Sequence, residues 1–146
     1  MSTRPAVVRY YVDADILGLG KELVRMRSDV TYPGDPGGTV HKRTRPPCPV
    51  ERPDVLDPEW IPVTATHRWL IITRDRHIQQ RQAERDAVRT HGARMVALAG
   101  DDAKNTFAQL EVLMCNWRFV EGLLDQPGPF IYTITRTGAP QLIELQ

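Results

Sequence analysis

Trp69-Leu70-Ile71-Ile72-Thr73-Arg74-Asp75 is the stretch that decides the fold. Its apolar, β-branched run reads as a buried strand, and it runs out on an aspartate. Two other stretches repeat this arrangement. Val7-Val8-Arg9-Tyr10-Tyr11-Val12 ends at Asp13, and Met95-Val96-Ala97-Leu98-Ala99-Gly100 ends at Asp101. In an open α/β sheet the carboxyl ends of the strands face the crevice where ligands bind. Acidic groups repeated along that edge suit a hard cation such as Mg2+, which takes oxygen ligands. The expectation is a metal-dependent enzyme acting on phosphate esters.

The segments between these strands read as helices and loops. Residues 16–27 carry Leu19, Leu23 and Met26 at helical spacing. Gly18 and Gly20 weaken the first turn and imply a close approach to the backbone there. Residues 29–32 form a short strand. From Pro33 to Pro58 the prolines exclude helix or central strand. Residues 33–56 therefore read as a long exposed loop, made basic by His41, Lys42, Arg43 and Arg45. Asp57 and Pro58 then open a helix, as N-cap and first helical residue, that runs to about His67.

After the deciding strand, residues 75–91 read as a helix stopped by Gly92, and Arg94 to Ala99 as a strand. Thr106 to Gln109 has capping-box spacing. The helix it opens would place Leu110, Met114, Trp117 and Val120 on one stripe. In the C-terminal segment, 127–146, Phe130–Thr135 and Gln141–Leu145 read as a pair of strands around Thr137-Gly138. This alternation argues an α/β layered fold with a mainly parallel central sheet flanked by helices.

At 146 residues the chain fits one domain, spanning 1–146, and can bury a full core. A net charge of +1 excludes a global basic field, so any nucleic-acid contact must be a local patch. Cys48 and Cys115 have no CxxC spacing and read as reduced thiols of a cytoplasmic protein, with Cys115 packed in a helix. No leader pattern and no membrane-length apolar run is visible.

Asp13 and Asp15 lie two residues apart, so extended backbone would turn both to one face. Asp57 and Asp75 each sit where a helix is expected to begin. Carboxylates gathered without a cation repel one another, and some stay protonated; a divalent ion removes that conflict. Taken singly, Asp13, Asp57 and Asp75 each read first as a helix cap, since Asp is a leading cap residue; the four acidic positions together favour the cation site.

Val12-Asp13-Ala14-Asp15-Ile16-Leu17-Gly18-Leu19-Gly20-Lys21-Glu22-Leu23 resembles the opening of PIN-like domains, as found in toxin ribonucleases and small bacterial PIN-like nucleases. Asp57-Pro58-Glu59-Trp60-Ile61, with His67 to Arg76 and its Thr-Arg-Asp ending, resembles a second segment of that family. The likeness covers roughly residues 7 to 100. It implies a three-layer PIN-like fold and a Mg2+- or Mn2+-dependent endoribonuclease, often the toxin of a type II toxin–antitoxin pair. By position, Asp13, Asp57 and Asp75 would be the catalytic metal ligands. Asp15 would be a ligand or a supporting group, and Glu59 a weaker candidate. RNA and a cognate antitoxin would be the partners. Two departures stand out: the loop before Asp57 is long and basic, and a further acidic ligand common in PIN domains has no obvious match.

Cations near these positions would hold the phosphates: Arg74 and Arg76 beside Asp75, Arg81 at the head of an Arg81, Arg85, Arg89 stripe, and Lys21. That stripe reads equally as a solvated helix face, since Glu84 and Asp86 are interleaved. His67 and His77 could help position substrate, although a histidine near a helix end is more often structural or solvated. His41 and His91 lack zinc spacing, and Trp60, Trp69 and Trp117 read as core anchors. Leu110, Leu113, Met114 and Trp117 could serve a homodimer, although core packing explains them first. Two rival readings remain. One is a haloacid-dehalogenase-like phosphatase with Asp13 as nucleophile; the other is a non-catalytic PIN-like interaction module.

Overall fold

The computed structural model describes residues 2–75 and 81–145, with Asp75 described by its backbone alone. The first elements are β1 (Arg4–Pro5), β2 (Tyr10–Val12), a 3-10 turn at Ala14–Ile16 and α1 (Leu17–Met26). Next come β3 (Val30–Thr31), β4 (Gly38–Val40), β5 (Arg43–Arg45), α2 (Asp57–Thr66) and β6 (Leu70–Asp75). The chain continues through α3 (Gln82–His91), β7 (Arg94–Ala99), α4 (Thr106–Cys115), α5 (Trp117–Gly122), β8 (Phe130–Ile134) and β9 (Gln141–Leu142).

The central sheet has the order β3-β2-β6-β7-β8-β9. Its pairs are parallel except β8 with β9, which is antiparallel. Strand alternation splits the core in two. Tyr10, Val12, Leu70, Ile72, Val96 and Leu98 pack with α1, α4 and α5 on one face. Tyr11, Ile71, Met95 and Ile131 pack with α2 and α3 on the other. The result is the expected three-layer α/β arrangement. Among the described residues no helix is long and apolar enough to cross a membrane.

Several boundaries and faces differ from the sequence reading. Strand pairing starts at Tyr10, because Val7 is exposed and has no sheet partner. Asp75 ends a strand, and α3 begins only at Gln82. Leu56 takes the N-cap position of α2, so Asp57 is its first residue. The fourth helix is broken at Asn116. It buries Gln109, Val112 and Leu113, which leaves Met114 and Cys115 exposed. Its cap is Asn105, which accepts from Ala108 N at 2.9 Å. Gly18 and Gly20 do mark close approaches. A Cβ on Gly18 would lie 2.6 Å from Thr106 Oγ1, and one on Gly20 would lie 3.2 Å from Val12 Cβ.

The largest difference lies in the proline-rich stretch, which is not an exposed loop throughout. It contains the β4–β5 hairpin, joined to β1 in a small sheet. Inside it Arg45 and Asp35 form a buried ion pair, with contacts of 2.5 and 2.9 Å. Asp35 also accepts from Thr31 Oγ1 and Gly37 N, each at 2.9 Å. Cys48 and Val50 then pack beside Tyr11 and Trp60. The prolines remove backbone donors, and the ion pair with these two apolar side chains anchors the stretch instead.

Breaking a buried pair leaves an uncompensated charge, at a cost of about 3–5 kcal/mol. Arg45→Met alone is therefore expected to lower the denaturant midpoint sharply, whereas Arg45→Met with Asp35→Leu recovers much of the stability. An equal drop in the single and double variants would contradict this account.

Candidate active site

The parallel register of β2 on β6 sets the site. Val12 lies opposite Ile72, and Asp13 N donates to Ile72 O at 2.9 Å. Asp13 therefore leaves β2 beside Thr73. Its Oδ1 accepts from Ala14 N at 2.6 Å, capping the 3-10 turn. Its Oδ2 lies 2.8 Å from Thr73 Oγ1, which is also 3.3 Å from Asp15 Oδ1. A hydroxyl carries a single proton. It can donate to only one of two flanking carboxylates, so the arrangement is best satisfied when one carboxyl is protonated.

The electrostatics agree. Burial, the Asp15 charge and, more weakly, the Asp57 charge push the Asp13 carboxyl up to about 8, against the hydrogen bonds from Thr73 and Ala14. Burial likewise pushes Glu84 up to about 7, helped by Asp57 and Asp15 and opposed by Arg81. The charges of Asp15 and Asp57 thus act on both buried carboxyls, Asp13 and Glu84. Asp57 is fixed by Trp60, whose Nε1 donates to its Oδ1 at 2.9 Å. Glu84 is only 4% exposed and meets Arg81 Nη1 at 3.5 Å.

Thr73 and Glu84 carry no role in the sequence reading. A signal for Glu84 is present: it lies four residues before Val88, the other buried residue of α3. A glutamate on a core-facing stripe calls for a reason. Thr73 alternates with apolar β6 residues, and only its place in the Thr-Arg-Asp ending sets it apart.

Asp75 closes β6 opposite Ala99; its side chain, with Arg76 and His77, lies outside the described residues. Among the described residues no three His, Cys, Asp or Glu side chains gather closely enough to ligate one ion. Glu59 is exposed on α2.

The expected phosphate-binding cations are mostly engaged. Arg74 Nη2 donates to Gly100 O at 2.9 Å. Arg81 serves Glu84, and Arg85 serves Gln82. Arg89 contacts Asp86 at 3.1 Å. The helix stripe is thus a ladder of local pairs, and Arg45 is buried against Asp35. Lys21 stays exposed on α1.

Raised carboxyl values mean that the folded state binds more protons than the unfolded chain. This contribution to stability is complete below about pH 4 and is lost as the pH rises through about 7 to about 8. In EDTA the Tm of the wild type is expected to fall across the neutral range. Asp13→Asn should flatten that fall and raise Tm at about pH 8, each unit of displacement being worth about 1.4 kcal/mol. A Tm that climbs steadily to about pH 8 would contradict the assignment.

No curated protein and no solved structure matches the chain. Residues 38–100, somewhat under half of the sequence, match the family model of a PIN like domain. That span holds the small hairpin, α2, β6, α3 and β7, and with them Asp57, Thr73 and Glu84. Together with the three-layer α/β architecture, the match supports a PIN-like domain.

Proposed function

We propose that the chain is a ribonuclease dependent on Mg2+ or Mn2+, and the toxin of a type II toxin–antitoxin pair. The observation that carries the reading is the coupling of Asp13, Asp15, Asp57 and Glu84 at the carboxyl edge of the sheet. Burial raises the Asp13 and Glu84 carboxyls, the charges of Asp15 and Asp57 raise them further, and a divalent cation would relieve that conflict. Asp13 and Asp15 would hold that ion with Asp75, and Asp57 and Glu84 would have to draw in to join them, since the described carboxyls do not gather three at one point. Such an ion supplies an acidified water and neutralises charge on the phosphodiester.

The chain's own groups have defined tasks in this scheme. Thr73 holds Asp13 and Asp15 to one point. Trp60 fixes the rotamer of Asp57. Arg81 balances Glu84 between its charged and neutral forms. Lys21, Arg74, Arg76 and Arg81 are the candidates to meet RNA phosphates. An antitoxin would present a cation to the same carboxylates.

Total RNA incubated with Mn2+ is expected to be cleaved, EDTA to stop cleavage, and Asp13→Asn or Asp75→Asn to reduce it about a hundredfold or more. Mn2+ should also raise Tm at about pH 8 in the wild type, by RT ln(1 + [L]/Kd), and much less in Asp13→Asn. RNA left intact, with Tm indifferent to the metal, would sink the proposal. A phosphate trapped covalently on Asp13 would identify the phosphatase instead.

A further inference from the structure

We propose that the opposite edge of the sheet, at the amino ends of the strands, binds a single strand of RNA, with a base stacked on His67 and phosphates on Arg9, Arg43 and Arg68. This deepens the nuclease reading and rests on it only for the identity of the polymer. Two clefts, of about 870 and about 420 Å3, open on this edge and meet at Val7 and Arg9. Arg9, Arg68 and Arg94 line the first, and Arg9, Arg27, His41 and Arg43 the second.

Two of these cations build the walls. Arg94 donates to the carbonyls of Leu124, at 2.7 Å, and Arg68. Arg27 clamps Asp29 with two 2.8 Å contacts and lies over Trp117. The other three are available. Arg9 approaches Asp29 only to 3.9 Å, with its side chain 54% exposed. Arg43 and Arg68 are exposed and form no ion pair among the described residues.

The backbone points the same way. Among the described residues the non-glycine positions with positive φ are His41, Lys42 and Arg68, at 51°, 63° and 58°. All three are basic, and His41 and Arg68 line these clefts. His41 and Lys42 form the two-residue connection of the β4–β5 hairpin, a place where Asn-Gly is relaxed. Arg68 occupies the turn between α2 and β6, where glycine would be relaxed. Local strain retained in this way collects at functional positions.

Beside Arg68, the His67 ring stacks on Trp69 with centroids 4.5 Å apart and an interplanar angle of 23°. Its Nδ1 lies 2.9 Å from Val63 O, which fixes the ring while the residue stays exposed. A fixed aromatic face beside spare guanidinium groups suits a single strand, whose bases are free to stack. Asp29, Glu121 and Asp125 offset part of the charge, so the surface fits a few phosphates rather than a duplex. An acidic protein segment would use the cations but not the ring.

The test is anisotropy of a labelled oligouridylate with the full chain in EDTA, where binding is read without cleavage. Arg68→Gly should relax the backbone and raise Tm while weakening binding about fivefold or more. The slope of log affinity against log salt should become shallower by roughly 0.7 for each phosphate that a variant no longer holds. His67→Ala should weaken binding about tenfold. Unchanged affinity in the Arg68 and His67 variants would overturn the proposal. So would equal binding of duplex RNA, or competition by polyglutamate that His67→Ala does not affect, which would mark a surface for an acidic protein. Binding without any cleavage would sink the nuclease reading and leave this one standing.

Discussion

The parallel register that sets Val12 opposite Ile72 is the constraint on which the candidate site depends. A slip by one residue in a strand turns its side chains to the other face of the sheet. Here it would take Asp13 out of reach of Thr73 and push Tyr11 off the stack it forms with Trp60 and Trp69. The register is held from both sides. Tyr10 and Val12 pack into one half of the core and Tyr11 into the other. Because apolar burial on two faces fixes the strand, it can carry a carboxyl at its end whose neighbours oppose its ionisation.

The two ends of the sheet are electrically opposite. Carboxyls gather where β2 and β6 finish, while arginines gather where β2, β6 and β7 begin. Net charge hides this, since +1 for the whole chain is the balance of two local fields. β6 separates the two ends by about 20 Å, at roughly 3.3 Å per residue. A polyanion of several units could be held at one end while its phosphodiester is engaged at the other.

Much of this was legible in the sequence, for physical reasons. The buried strands are dense in apolar residues, so β6, β7 and β8, and the layered fold they imply, followed from pattern alone. Gly18 and Gly20 announced tight packing because little else justifies two glycines in a first turn. The proline-rich stretch was misread because its order comes from tertiary contacts, chiefly Arg45 meeting Asp35 ten residues earlier, which no local periodicity encodes. Glu84 stands among surface charges, with only its four-residue spacing from Val88 to mark it as inward-facing, because a buried carboxyl and a solvated one otherwise look alike until the partner helix is in place. The exposed Met114 shows the same limit: α4 carries apolar residues on more than one face, and it buries Val112 and Leu113 rather than Met114.

The margins of the sheet have a consequence of their own. One edge strand, β3, is two residues long, and so is the other, β9, which follows Pro140 and runs against its neighbour. Short borders with a proline beside them give an incoming chain almost no row of free amides to zip onto. Association by strand addition, whether as a sheet continued between molecules or as fibrous aggregation, is thereby discouraged. At the central sheet, recognition of other macromolecules is left to side chains on the helices and at the ends of the strands.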